Sequence, residues 1–556
     1  MSMRKTLPAR IALPGHSPDN ASVWINDDIR PLPPSRRLWD SWAFVSYWAV
    51  AQLSISNFSQ AASLVAIGLS VWQAMIAVIL GRIITAIVAV YNGAIGAEWH
   101  IGFPVLSRAV WGIYGSYVPI IQRIVLAFTW FSVQAWFGGL CVTSLLSALS
   151  STFQNMNNTL PLSANLTTKE LIGWVVYNII SIPILYVRPE KTRYMLFGMN
   201  IVSMVTLVSM TIYLLGAAHG GGPLLSAPAV VTGSSGLGWA VVQGTTIIVG
   251  GLAVGLTNQP DYSRFARHPG DQVFGQWFSI ITFGTIMPLF GCLAASATMK
   301  LYGTAMWNAP VILQQILDSH YDSGSRAAIF FASIGLIVCQ LAITTVDNAY
   351  SAGMDLAGLF PKYINIRRGC YIGLIAASAM CPWELLSTAA TFTSVMSAYG
   401  LFFGPLIGIQ VCDYFIIRHR RHKLSDLYTP SKTGIYYFWN GFNWRTFVAW
   451  VIGWAPQIPG FIAEVNPKVK VPIACVRMYY LAFPLGLTIS FMLYWSFCKL
   501  SPPMGAGEID DIDYFGTFTR EEAAEHGMSP LEPVEGVESP IGNTTDEAKQ
   551  ASVKEV

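Results

Sequence analysis

Long apolar stretches separated by short polar segments run along almost the whole chain. A helix crosses a bilayer with about 20 mostly apolar residues, and most of these stretches reach that length. The pattern predicts twelve membrane spans, numbered in chain order, at about 41–69, 72–92, 117–148, 170–187, 194–216, 235–257, 273–301, 327–359, 368–387, 390–417, 444–463 and 478–498. The fold class that follows is an all-α polytopic membrane protein.

The basic residues between the predicted spans indicate which helix ends face the cytosol. Cytosolic loops of membrane proteins carry an excess of Lys and Arg. If both termini are inside, the cytosolic side holds all five basic clusters, at 30–37, 188–193, 264–267, 362–368 and 418–423. The predicted outer loop 149–169 instead carries two glycosylation sequons. We therefore expect a multi-pass protein with both termini in the cytosol.

Two predicted spans are interrupted, and they lie five spans apart. The first contains a polar patch at 52–57, and the sixth contains Gly250 and Gly251 followed by Gly255. Interrupted helices at corresponding positions of two halves are typical of an inverted-repeat transporter with a binding site near the membrane midplane. Glycine is common in membrane helices, so this sign alone is ambiguous. Together with Asp347, an acid inside a predicted span, it favours a secondary transporter over a receptor or a channel.

The composition agrees with a membrane protein and argues against several other classes. Hydrophobic residues make up 53 % of the 556 residues and charged residues only 11 %, which is outside the range of soluble globular proteins. The eight cysteines have unrelated spacings and suggest neither a disulfide framework nor a metal cluster. Nucleotide-binding loops and nucleophile elbows are also missing. We expect no enzyme activity, no cofactor or metal, and no nucleic-acid partner.

The end of the chain differs from its membrane body. From Glu508 onward the sequence is acidic and poor in aromatic residues, which is typical of a disordered tail. Before it, Asp413 near the inner end of span ten is expected to pair with a cation of the basic loop that follows. We divide the chain into a cytosolic N-terminal segment (1–40), a first inverted repeat of spans one to five (41–216), a second of spans six to ten (217–417), a basic cytosolic loop (418–443), spans eleven and twelve (444–500) and an acidic disordered cytosolic tail (501–556).

Asp347 is an acid inside the eighth predicted span. The apolar segment from Ala327 to Phe360 is expected to form one helix, in which Asp347 lies about four residues, roughly 6 Å, from the midpoint. A carboxylate at that depth costs several kcal/mol unless another charge or a proton offsets it. Three explanations are open: a positively charged substrate, a coupling proton carried by Asp347 itself, or a structural ion pair with Arg123 in span three.

Several long segments resemble the nucleobase–cation symporter family one, especially its fungal branch of uracil, allantoin, uridine, thiamine and nicotinamide riboside permeases. The resembling segments follow one another in the family's order, at 26–42, 62–74, 258–269, 392–418, 424–428 and 441–462. The resemblance implies a LeuT-like core of two inverted five-helix repeats plus two further helices. It also implies a central binding site between spans one, three, six, eight and ten.

The resemblance assigns site residues to several spans. In span three the family has a tryptophan and a glutamine four residues apart, matched by Trp130 and Gln134. Residues i and i+4 share a helix face, so an indole can stack on a flat heterocycle while the amide binds its edge. By spacing alone we would favour packing of Trp130 against lipid or a neighbouring helix, and the resemblance reverses that preference. Asn348 matches the family's substrate-binding asparagine of span eight.

The rest of the expected site comes from the interrupted spans and from span ten. The substrate site is expected to include Asp347 and, from the interruptions of spans one and six, Ser54, Ser56, Gly251 and Leu252. Tyr399 and Phe402 of span ten are expected, by resemblance alone, to belong to an outer gate.

Four departures from the family pattern concern ion coupling. Proton-coupled fungal relatives carry an acid in the broken part of span one and a basic partner in span six, where this chain has Ala51 and Leu252. Sodium-coupled bacterial relatives use hydroxyls in span eight, where this chain has Ala342 and Ile343. The segment 344–369 resembles the thiamine and nicotinamide riboside permeases more than the uracil permeases. A carboxylate beside the substrate amide would attract a fixed positive charge and would bring nothing to neutral uracil.

These observations predict a plasma-membrane secondary transporter that imports a cationic vitamin or vitamin precursor, thiamine or nicotinamide riboside, by alternating access. Its expected partners are a small heterocyclic substrate and the lipid bilayer, with proton coupling as a further expectation through Asp347. The alternative is a proton symporter of uracil, uridine or allantoin. A rival from another class is a nutrient sensor without net transport. The sequence predicts no oligomeric state.

Overall fold

The fold is known from a computed structural model that describes residues 12–13, 24–386, 389–466 and 468–530. Ordered elements among these residues are helices, with isolated bridges in place of strands. The helices that correspond to the predicted spans are, in order, Ser41–Gln52 with Ile55–Ala66, Val71–Trp99, Tyr117–Leu149, Thr168–Ser181, Arg193–Ala217, Ser234–Gly250 with Ala253–Ser263, Asp271–Tyr302, Ser323–Leu359, Ile366–Ser378, Ala389–Cys412 continued by Asp413–Ile417, Trp444–Val465 and Ala482–Leu500. Shorter helices between and after them include Phe103–Trp111, Ala309–Ser319, Ile473–Tyr480 and Arg520–His526.

Ten helices in the described residues are long and apolar enough to cross a membrane by themselves. The two predicted spans outside this set are span one, which is divided into two 12-residue helices, and span nine, a 13-residue helix. The polytopic helical fold is therefore confirmed, while the number of twelve spans stays a prediction.

Span one breaks inside its predicted polar patch. The first helix ends at Gln52 and the second begins at Ile55, with Ser54 as its N-cap. The Ser54 hydroxyl accepts from the Asn57 backbone N–H at 3.1 Å and donates to the Ala51 carbonyl at 2.7 Å. A side-chain oxygen at this position satisfies one of the backbone donors that a helix start leaves free. The break is therefore stabilised by its own sequence.

Span six breaks at the predicted glycines. One helix ends at Gly250 and the next begins at Ala253, and every residue of the second helix is buried. The chain passes very close to its neighbours here, because a Cβ at Gly251 would lie 2.9 Å from Gln60 Nε2 and closer still to the Met396 methyl. A glycine is therefore required for the close approach of spans one, six and ten.

Span eight widens at the point where Asp347 occurs. Residues Thr344–Tyr350 form a π-helical segment inside the long helix Ser323–Leu359. Such segments are rare and frequently lie at functional sites. The second helix of span six, Ala253–Ser263, holds this segment, since Asn258 Nδ2 donates to Ser351 Oγ and the Tyr262 hydroxyl donates to the Val346 carbonyl.

The acidic tail is ordered further than the sequence suggested. Residues 508–530 pack beside the N-terminal segment, and the helix Arg520–His526 lies against Arg37 through an ion pair with Glu522 at 2.9 Å. The prediction of disorder from Glu508 was wrong for this part because Phe518, Ala523 and Met528 are buried in one apolar cluster. Residues 531–556 of the predicted tail lie outside the described residues.

The basic loop after span ten is held by ion pairs with the helices. Arg418 is fully buried and pairs with Asp413 at 2.8 Å, while Arg420 pairs with Glu98. The Tyr494 hydroxyl donates to the other carboxylate oxygen of Asp413 at 2.7 Å. The prediction that Asp413 pairs with a loop cation is confirmed.

Candidate functional site

A small cavity of about 40 Å³ lies where the breaks of spans one and six meet spans three and eight. All eight predicted substrate-site residues line it, namely Ser54, Ser56, Trp130, Gln134, Gly251, Leu252, Asp347 and Asn348. The remaining lining residues are Ala51, Asn57, Gln60, Val254, Gly255 and Ile343. The structure thus brings the predicted residues together, whereas their roles in binding stay a prediction.

Asp347 is half-buried, and its carboxylate lines the cavity. Within the residues that the structure describes, this carboxylate has no hydrogen-bond donor and no cation as a partner. Arg123, the proposed ion-pair partner, is engaged elsewhere, with Asp261 and Asp355. Of the three open explanations for Asp347, the structural ion pair with Arg123 is therefore excluded. An uncompensated carboxylate gives the cavity a negative charge whenever Asp347 is ionised.

Trp130 and Gln134 lie on the same side of the cavity, as their spacing predicts. Trp130 is 5 % exposed, and its indole N–H has no hydrogen-bond partner among the described residues. Gln134 is hydrogen-bonded to span one, because the Ser56 hydroxyl lies 2.7 Å from Gln134 Nε2 and 3.0 Å from Oε1. An aromatic face and a hydrogen-bonding edge therefore meet at this wall.

Asn348 has a polar atom that makes no hydrogen bond among the described residues, whereas the hydroxyl of Ser54 is already hydrogen-bonded. Asn348 Nδ2 donates to the Ile343 carbonyl at 3.2 Å, which leaves the amide oxygen as an acceptor for a ligand in the cavity. Ser54 lines the cavity, but its hydroxyl is already used in the helix cap of span one. We therefore expect Asn348 to contact a ligand directly and Ser54 to maintain the break.

The two predicted gate residues lie outside the cavity lining. Tyr399 is next to the site, with its ring centroid 6.3 Å from that of Trp130. Phe402 is turned toward span eleven, where its ring lies 5.6 Å from that of Trp454 and its carbonyl accepts from the Trp450 indole. The gate role stays a prediction, and the geometry suits Tyr399 better than Phe402.

A buried ion cluster lies about two helical turns from the site along spans three and eight. Arg123 Nε donates to Asp355 at 2.7 Å, and Nη2 lies 2.7 Å from Asp261. The Phe103 backbone N–H donates to Asp261 at 2.9 Å. The centre of the Phe103 ring lies 3.8 Å from the guanidinium carbon of Arg123. Arg123, Asp261 and Asp355 belong to spans three, six and eight, so the cluster joins these three helices.

Sequence reasoning missed Gln60 as a lining residue. Gln60 follows Ser56 by four residues, so the two side chains share one face of the helix Ile55–Ala66. That spacing was the available signal. The same reasoning noticed Arg123 but not its partners, because nothing in the sequence pairs positions 123, 261 and 355.

A cavity between two broken helices, within a bundle of membrane-length helices, is the arrangement of a secondary transporter. The sequence model of one family, described as permease for cytosine/purines, uracil, thiamine, allantoin, matches residues 31–486. The chain belongs to this family of membrane permeases, so the expected transporter class and the family resemblance are confirmed.

Curated relatives of known name cover almost the whole chain. Transporter aclS of Aspergillus oryzae is 48 % identical and covers 93 % of both chains. In Saccharomyces cerevisiae, the thiamine transporter THI72 is 35 % identical over 92 % of this chain and 85 % of its own, and nicotinamide riboside transporter 1 is 33 % identical with the same shares. The uracil permease of that yeast reaches 31 %, so overall identity separates these substrates poorly.

Solved structures confirm the fold. Mhp1, a nucleobase-cation-symport-1 family transporter, was solved in a closed conformation with bromovinylhydantoin bound and in an inward-facing conformation. The two structures superpose on this chain with TM-scores of 0.67 and 0.69, and their sequences are 21 % and 20 % identical to it. They cover 91 % and 92 % of this chain and 99 % and 100 % of their own. The expected LeuT-like architecture is therefore confirmed.

Proposed function

We propose that this permease imports a cationic heterocyclic vitamin or vitamin precursor, of the thiamine or nicotinamide riboside type, across the plasma membrane by alternating access. The observation that carries the proposal is the Asp347 carboxylate, which lines the cavity without a protein cation beside it. Both termini are cytosolic in this proposal, in agreement with the distribution of basic residues.

The surroundings of Asp347 favour a positively charged ring. Two unit charges about 4 Å apart attract by about 4 kcal/mol at an effective dielectric constant of 20, which is far more than in water. The face of Trp130 adds a surface on which a cationic aromatic ring can stack. Asn348 supplies a neutral acceptor next to the carboxylate. A neutral nucleobase could use Trp130 and Asn348, but it would leave the charge of Asp347 unbalanced.

The driving force in this proposal is the membrane potential. Ala51 and Leu252, which stand where proton-coupled relatives have a charged pair, both line the cavity. The site wall is therefore apolar at the positions of that pair. A cationic substrate gains about 2.3 kcal/mol per 100 mV when it moves inward along the potential. Such a substrate needs no separate coupling ion.

The test is uptake of labelled thiamine, nicotinamide riboside and uracil into cells that lack their own carriers for them. We expect uptake of at least one cationic vitamin, little uracil uptake, and loss of vitamin uptake in Asp347→Asn. Asp27→Asn, at an exposed ion pair with Arg30, is the matched control and should behave like the wild type. Unchanged vitamin uptake by Asp347→Asn would overturn the proposal.

The two rival functions give different results in the same system. A proton symporter of uracil, uridine or allantoin would take up those compounds in preference to the vitamins and would acidify the cell interior during uptake. A sensor would bind a vitamin without exchanging it, so reconstituted protein would show no counter-flow of labelled against unlabelled substrate. Either result would replace the proposed importer.

A further inference from the structure

Arg82 of span two is a fully buried cation just behind the cavity wall. Its side chain is 0 % exposed, and no carboxylate pairs with it among the described residues. Instead, Nε donates to the Gly284 carbonyl at 3.0 Å, and Nη2 donates to Asn57 Oδ1 and Gln60 Oε1. A buried guanidinium is costly unless acceptors surround it. The two amide oxygens of span one therefore stabilise the charge of Arg82.

This contact determines which way the two amides face. A guanidinium has five N–H donors and no acceptor, so each amide must turn its oxygen toward Arg82 and its NH₂ group away. Asn57 uses its NH₂ group internally, by donating to the Gln52 carbonyl. Gln60 does not: within the described part of the chain, its Nε2 has no acceptor.

The free NH₂ group of Gln60 belongs to the cavity. Gln60 is a lining residue, and its Nε2 lies against the glycine at the break of span six, 2.9 Å from the place of a Cβ on Gly251. Asp347 lines the same cavity from span eight. The cavity therefore has a carboxylate on one helix and, on another, a hydrogen-bond donor backed by a buried positive charge.

We propose that Arg82 is a positioning residue that turns Gln60 into a donor for the substrate, and that the substrate is a cationic heterocycle carrying an acceptor oxygen, as in a ring carboxamide or carboxylate. The inference rests on the proposed function, since it takes Asp347 as the partner of the cationic ring. It deepens that function by selecting pyridinium carboxamides of the nicotinamide riboside type over a thiazolium without a carbonyl group. The charge of Arg82 also strengthens the hydrogen bond, because it polarises the amide of Gln60.

The experiment compares two pyridinium ribosides that share ring, charge and sugar and differ only in the 3-carboxamide. Both are used as ligands of purified, reconstituted protein, and binding is measured for the wild type and variants. The wild type should bind the carboxamide about tenfold more tightly, the size of one hydrogen bond in a closed site. Gln60→Met should bind both ribosides equally. Arg82→Lys should keep part of the preference, because an ammonium also donates to the amide oxygens.

Two more variants, Arg82→Met and the double variant Arg82→Met with Gln60→Met, complete a double-mutant cycle. If Arg82 acts through Gln60, Arg82→Met loses the preference, and adding Gln60→Met to it changes the preference no further. If Arg82 had a purely structural role, Arg82→Met would weaken the binding of both ribosides by the same factor. The ratio of their two affinities would then stay unchanged. Gln60→Met keeps the test decisive if Arg82→Met does not fold, since it removes the donor while Arg82 keeps Asn57 Oδ1 and the Gly284 carbonyl as acceptors.

Three results would overturn the inference. Equal binding of the two ribosides to the wild type contradicts it and leaves the proposed function standing. A carboxamide preference that persists in Gln60→Met contradicts it in the same way. The third result has two parts: the wild type binds neither riboside, and Asp347→Asn takes up vitamin as the wild type does. This result overturns the proposed function and the inference together.

Discussion

The Ser56 hydroxyl of span one accepts from Gln134 Nε2 of span three at 2.7 Å and lies 3.0 Å from Gln134 Oε1, so hydrogen bonding between these two side chains joins two helices that bear the proposed site. Both side chains are buried. The bond orients the amide of Gln134 and at the same time joins the broken span to an unbroken one.

Removing this bond should weaken substrate binding more than folding. In Ser56→Ala the Gln134 amide loses its partner, and an unsatisfied buried amide costs about 1–3 kcal/mol. We expect KM for vitamin uptake to rise about tenfold at unchanged surface expression. Ser56→Thr keeps the hydroxyl and serves as the control. Equal KM values in Ser56→Ala and the wild type would show that the bond does not orient the site.

The Arg123 cluster should be essential for the folded protein. Arg123→Ala would leave Asp261 and Asp355 buried without a cation, and breaking such a pair destabilises proteins by about 3–5 kcal/mol. We expect a strongly lowered melting temperature in detergent. Arg193→Ala breaks a partly exposed pair with Asp40 and should cost no more than about 1 kcal/mol. Similar melting temperatures for the two variants would contradict the assignment of the cluster.

Gly251→Ala should abolish transport by filling the break of span six. The added methyl would collide with the Met396 side chain and press on the Gln60 amide. Met396→Ala in the same chain should restore part of the activity, because it removes one of the two collisions. The matched control is Gly238→Ala in the helix Ser234–Gly250, where a Cβ meets nothing within 4 Å. Normal uptake by Gly251→Ala would contradict the close approach seen at the break.

Docking of residues 508–530 should weaken as the pH falls. Burial lowers the pKa of His526, whose ring packs 4.8 Å from Trp99. Burial alone would raise the pKa of Glu522, but the Thr519 N–H and the Arg37 guanidinium together hold it below its ordinary value. A folded-state pKa below the unfolded one means that the docked form loses stability on acidification. The loss begins below the ordinary histidine value of about 6.5 and continues below the glutamate value of about 4.5.

Hydrogen exchange of this segment, corrected for the intrinsic pH dependence of exchange, measures the effect. Protection of the helix Arg520–His526 should fall between pH 7 and pH 5 in the wild type. His526→Phe keeps an aromatic ring against Trp99 and Phe518 and removes the titrating group, so its protection should change little over this interval. Identical pH profiles for the two proteins would exclude His526 as the cause.

Much of the fold was predictable because membrane helices are marked by long apolar stretches. The polar patch at 52–57 and the glycines at 250–251 indicated both breaks, since interruptions of this kind stand out in apolar sequence. The π-helical segment around Asp347 carried no comparable signal, because its residues are as compatible with an ordinary helix. The order of residues 508–530 was also hidden, since it depends on contacts with Arg37 and Trp99 from far upstream.

The site was predictable to a similar extent. Spacing and family resemblance placed Trp130, Gln134, Asp347 and Asn348 in one cavity, which the structure shows. The contact between Arg82 and Gln60 was not predictable, because it joins the one charged residue of the predicted span 72–92 to one of several polar residues in span one. Which buried charges pair is decided by helix packing, as Arg123 shows by binding Asp261 and Asp355 instead of Asp347.

The central claim, that Asp347 selects a positive charge, is tested most directly by two ligands of the same shape. Nicotinamide riboside carries a cationic ring, and its dihydropyridine form is a neutral ligand of nearly equal size. Binding of both is measured on purified wild type and Asp347→Asn. The account predicts that the wild type binds the cation at least about tenfold more tightly and that Asp347→Asn binds both alike. The same preference for the cation in both proteins would contradict it.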